Sequence, residues 1–105
     1  MAETGIPVLT LEQVEELCEK AEQAARAYVL SKVSKGRIAT LEVSVDAEGT
    51  KPVIVNVDVT VVLSPLMKDF DVEALAKNAT KRAFAIIEEY LRGLKRLGER
   101  RKISE

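Results

Sequence analysis

"VIVNVDVTVVL", Val53 to Leu63, places Val or Leu at every odd position. Side chains of a strand alternate between its two faces, so this is a single apolar row. The opposite row, Ile54, Asn56, Asp58, Thr60 and Val62, is mixed. Upstream, "RIATLEVSVD" supplies a partner strand, with Ala39, Leu41, Val43 and Val45 on one face and Thr40, Glu42, Ser44 and Asp46 on the other. Ile38 breaks the alternation, which predicts a bulge or a strand start buried on both faces. "AEGTK" is the turn between the two strands. A two-residue turn at Glu48-Gly49 would send the apolar rows to opposite faces. A three-residue turn, Glu48-Gly49-Thr50, pairs Val45 with Val53, Val43 with Val55 and Leu41 with Val57, and keeps them together. That register is the expectation. Pro65 closes the second strand, because it cannot donate to a ladder.

Helical patterns flank the hairpin. Leu11, Val14, Leu17, Cys18, Ala21, Ala24, Ala25, Tyr28 and Val29 recur at helical spacing, with Glu12, Glu15, Glu16, Glu19 and Glu22 between them. Thr10 and Gln13 form the capping-box pattern, and Gly36 is placed to end this helix in the left-handed conformation. After the hairpin, Asp71 reads as an N-cap. Val72, Leu75, Ala76, Ala79, Ala83, Ile86, Ile87, Tyr90, Leu91, Leu94 and Leu97 carry a second helix to near Gly98. Gly93 within it predicts a close helix contact. Both helices and the second strand reach roughly 35 Å, at about 1.5 Å per helical and 3.3 Å per strand residue. Two helices can therefore lie along one face of the hairpin. The expected fold is α+β, helix-strand-strand-helix, as one domain over residues 1–105, with a leader at 1–9 and a flexible basic tail at 99–105.

Composition narrows the chemistry. The chain has 105 residues, 47% apolar and 31% charged, with a formal net charge of -1. This describes a globular domain and argues against a uniformly basic nucleic-acid binder. Met1 to Thr10 lacks the basic start and apolar run of a signal peptide, and no apolar run approaches the roughly 20 residues of a membrane span. The expected location is cytoplasmic, with no membrane partner. There is no His, so the commonest general base and transition-metal ligand is missing, and the single Cys18 forms no internal disulfide. Asn and Gln are limited to Gln13, Gln23, Asn56 and Asn78, a thermophile tendency.

Each reactive group also has a structural reading. Cys18 lies on the apolar stripe with no His to activate it, and is expected to be a buried thiol. Asp69, Asp71 and Glu73 suit a helix start. Glu42, Asp46 and Asp58 share the polar strand face and read as a solvated sheet surface. No catalytic, cofactor-binding or metal residue is assigned, and the protein is expected not to be an enzyme. Charge, in contrast, is segregated. Residues 1–23 carry six acids and one base, whereas "RGLKRLGERRK" carries Arg92, Lys95, Arg96, Arg100, Arg101 and Lys102 against Glu99.

The stretches "LTLEQVEELCEKAEQAARAYV", "LEVSVDAEGTKPVIVNVDVTVVL" and "VEALAKNATKRAFAIIEEYL" resemble a small archaeal family of uncharacterised proteins, often encoded near the prefoldin beta subunit. The resemblance spans most of the chain. It implies an archaeal cytoplasmic protein associated with translation or protein-folding genes, and it carries over no catalytic residue.

A two-stranded sheet is marginal alone and its long edges invite pairing. The expected state is therefore a homodimer, with the sheet extended by a second hairpin or stacked on it. Ile54, Asn56, Asp58, Thr60 and Val62 are the candidate interface. The expected function is a non-enzymatic homodimeric scaffold or adaptor, linked by the resemblance to translation or protein folding. The alternative is a nucleic-acid accessory protein using the basic set Arg92, Lys95, Arg96, Arg100, Arg101 and Lys102.

Overall fold

The structure, a computed structural model, describes residues 9–48, 54–67 and 69–104, the side chains of 95–104 apart. Helix α1 spans Leu11–Lys32. Its start is the expected capping box: the Gln13 N–H donates to Thr10 Oγ1 at 3.1 Å, and the Thr10 N–H donates to Gln13 Oε1 at 3.0 Å. Its end differs from expectation. The chain leaves the helix through Val33, in an extended conformation with φ −136° and ψ 129°, and Val33 is buried. A buried β-branched residue favours this extended exit over a left-handed one. Gly36 instead sits inside a single 3-10 turn, Lys35–Arg37, without a positive φ.

Strands β1 (Ile38–Glu48) and β2 (Ile54–Leu63) form an antiparallel two-stranded sheet. Face parity is as expected, but the register is not. Val45 pairs with Val57, Val43 with Val59 and Leu41 with Val61. The expected three-residue turn would have placed Pro52 in the ladder opposite Asp46, where it has no N–H to give. It would also have left Val61 to Leu63 beyond the start of β1. The observed register pairs Glu48 with Ile54, does not call on Pro52 in the described ladder and uses both strands to their ends. The expected turn itself, with Gly49, and the expected first strand residue, Val53, lie outside the described residues.

The irregularity at Ile38 is a bulge. Ile38 pairs with Leu63 and Thr40 with Val62, which makes Ala39 the extra residue. The bulge moves Ile38 onto the apolar face, where it packs against the core, and leaves Ala39 exposed. The expected bulge is therefore present, and the expected place of Ala39 on the apolar row is corrected.

After β2 the chain turns and enters α2, Val72–Ser104. Asp71 caps it, accepting from the Ala74 N–H at 3.0 Å through Oδ1. The helix runs on past its expected end near Gly98. No proline follows, Glu, Arg and Lys are good helix formers, and one glycine costs only about 1 kcal/mol. The flexibility expected of residues 99–105 concerns side chains outside the described set.

The two helices lie antiparallel on one face of the hairpin, α1 over β1 and α2 over β2. They meet through small residues: Ala21 and Ala25 of α1, and Ala79 and Ala83 of α2, are all completely buried. Leu17, Val29, Val33, Leu75 and Ile87 complete this core, with Leu9, the last residue of the expected leader. The inner strand row, Leu41, Val43, Val45, Val55, Val57, Val59, Val61 and Leu63, packs beneath and is half-buried. Gly93 makes no close helix contact. A Cβ built there meets nothing within 4 Å.

The radius of gyration is 16.8 Å, against about 13 Å for a compact domain of this length. The 60 Å long axis explains the difference. With 33 residues against 22, α2 outruns α1 and projects beyond the connection end of the hairpin.

Candidate interaction surfaces

The face of the sheet turned away from the helices is bare. Its cross-strand pairs are Thr40 with Val62, Glu42 with Thr60, Ser44 with Asp58, Asp46 with Asn56, and Glu48 with Ile54. Alternation puts all ten residues here, and all but Thr40 are exposed. The expected interface row therefore forms a single accessible line, with Ile54 and Val62 at its ends exposed by 56% and 48%. Glu42, Asp46, Glu48 and Asp58 give the face four carboxylates and no base. None of the four is ion-paired among the described residues. No three of the described acidic or Cys side chains come close enough to hold a metal.

Cys18 is half-buried rather than fully buried. Burial, and secondarily the nearby negative charge of Asp46, push its thiol above the ordinary value of 9.0. Such a thiol is protonated and sluggish at neutral pH.

The basic set expected at the C-terminal end lies along the projecting end of α2. Arg92 is exposed. Lys95, Arg96, Arg100, Arg101 and Lys102 follow on the last turns of helix, with side chains outside the described residues.

Another cationic site was missed from the sequence. The outer groove between the helices opens at one end into a hollow lined by Tyr28 of α1 and by Asn78, Lys81, Arg82 and Ala85 of α2. Lys32 Nζ lies 5.6 Å from the Tyr28 ring centre, and the Arg82 guanidinium lies 5.7 Å from it. Arg82 and Tyr28 are far apart in the chain, so only the helix pairing brings them together. A local signal did exist. Lys20 and Arg26 each have a glutamate four residues earlier and pair with it, at 3.9 Å and 2.8 Å. Lys32, Lys81 and Arg82 have no acid three or four residues away. At the other end of the groove the charges are mixed: Lys20 and Glu89 line it, Lys20 pairs with Glu16, and the Tyr90 hydroxyl donates to Glu16 Oε1 at 2.9 Å. Burial, and then the contact with Glu16, raise the Tyr90 phenol above its ordinary value of 10.0.

Among the described residues no helix is long and apolar enough to cross a membrane. A family model described as "Protein of unknown function (DUF3194)" matches residues 6–90. No curated protein matches the chain. Two solved structures share the fold. A hypothetical protein from Methanothermobacter thermautotrophicus, solved in solution, has a TM-score of 0.72 at 22% identity, over 86% of this chain and 97% of that one. A protein from Thermococcus onnurineus NA1, solved by crystallography, has a TM-score of 0.72 at 27% identity, over 86% of each chain. Both organisms are archaea, in line with the archaeal resemblance read from the sequence.

Proposed function

The chain belongs to the DUF3194 family of proteins of unknown function, and from that premise we propose that it is a non-enzymatic homodimeric scaffold or adaptor. One observation carries this reading: the sheet face is bare and acidic, while the same chain projects a basic helix end. Two simpler dimers are disfavoured. Stacking the open faces would set carboxylates against carboxylates. Extending the sheet edge to edge would crowd α2 against its copy, because helices pack 8–10 Å apart and strands only about 4.8 Å. The complementary arrangement lays the α2 end of each copy, Arg92 to Lys102, on the other's row from Ile54 to Val62. There it meets Glu42, Asp46, Glu48 and Asp58.

Light scattering tests this. The 11.6 kDa chain is expected to double in mass at micromolar concentration in about 50 mM salt, and to dissociate as salt shortens the electrostatic range. A monomer at low salt overturns the reading. Reversing charge on the face (Asp46→Lys with Asp58→Lys) or on the helix end (Arg96→Glu with Arg100→Glu and Arg101→Glu) should give monomers. Mixing the two variants should restore a heterodimer. The link to translation or protein folding is supported by the family resemblance. It predicts that ribosomal or prefoldin subunits co-purify with the tagged protein from an archaeal host.

A further inference from the structure

The hollow around Tyr28 is separate from the sheet face and lies on the other side of the helix layer. Its chemistry is unusual for this chain. Elsewhere on α1, bases are neutralised by glutamates one turn away. Here Lys32 and Arg82 meet at Tyr28 and Lys81 lines the hollow beside Arg82; none has an acid at those spacings, and none is ion-paired among the described residues. Two of the three flank one aromatic ring. The small, exposed Ala85 also lines it, and Asn78 adds an amide that can donate or accept.

We infer that the Tyr28–Lys32–Asn78–Lys81–Arg82 hollow binds the phosphodiester backbone of single-stranded nucleic acid. An anion there relieves the repulsion among three cations that the fold holds together. A guanidinium offers paired donors to phosphate oxygens, and lysines add point charges. The surface extends as a path rather than a closed pocket. Exposed Lys35 and Arg37 lie just beyond the end of α1, and exposed Lys77 lies one turn before Lys81 on α2. In the opposite direction the groove holds Glu89 and the Glu16–Lys20 pair and carries no unpaired base among the described residues, so the strand leaves past the α1 end. A strand with a repeating charge matches such a path. Contacts of this kind read backbone rather than sequence.

Fluorescence anisotropy with labelled single-stranded RNA and DNA oligonucleotides tests it. Binding is expected at about 50 mM salt, with log affinity falling against log salt at a slope of about −0.7 per phosphate contacted. Lys32→Glu with Arg82→Glu should weaken it at least about tenfold and flatten that slope. Both residues are at the surface, and an unchanged circular dichroism melt confirms that the variant is folded. Lys20→Glu, at the other end of the groove, should bind as the wild type does. No binding at low salt overturns the inference. So does wild-type affinity in the double variant, equal loss of binding in Lys20→Glu, or preference for anionic phosphatidylserine vesicles over the oligonucleotides.

Discussion

Single side chains set the boundaries of this fold. Thr10 and Gln13 satisfy each other's backbone donors at the start of α1. Thr10→Ala should cost about 1 kcal/mol, read as a fall of several degrees in melting temperature. Two groups make stability sensitive to alkali. Tyr90 and Cys18 are both raised in the fold, principally by burial, so the folded state favours their protonated forms. In the unfolded chain they lose protons first, near 10.0 and 9.0. Their contribution is therefore complete below about pH 9 and is lost as pH rises through the raised values. Denaturant midpoints should hold up to about pH 9 and fall as pH rises beyond it, continuing above about pH 10. The drop should shrink in a variant combining Tyr90→Phe with Cys18→Ala.

At the scale of elements, β2 separates two kinds of valine. Val57 faces the helices and packs on the core, whereas Val62 lies on the bare face. Val57→Lys should cost roughly 2–3 kcal/mol, and Val62→Lys less than about 0.5 kcal/mol, measured by urea unfolding. The sequence revealed which face was which because alternation is local: each residue reports its own side. It did not reveal the register, because the apolar rows still agree after a shift of two positions along either strand. Pro52, unable to donate, was the discriminating residue. Ala39 left the apolar row for a related reason, since the bulge that Ile38 signalled reverses parity beyond it. Caps at Thr10 and Asp71 were legible because their partners lie three residues away. The Tyr28 hollow was not, because it depends on the antiparallel docking of α1 and α2. The open strand row was visible in the sequence, and the structure adds that Glu48 joins its acids.

For the whole molecule, the governing feature is the unequal length of the helices. It makes the protein long, and in the proposed dimer it is what would carry the basic sequence at the end of α2 to the acidic face of a second copy. The alanine seam between α1 and α2 acts on a different quantity. An alanine side chain has no rotamers to lose when it is buried, whereas long side chains surrender up to about 2 kcal/mol each. Ala21, Ala25, Ala79 and Ala83 therefore bring two helices into contact at almost no cost in side-chain disorder. They also bury little apolar area, and the heat capacity of unfolding rises with that area. A chain held together this way should have a shallow stability curve, changing slowly over a wide range of temperature.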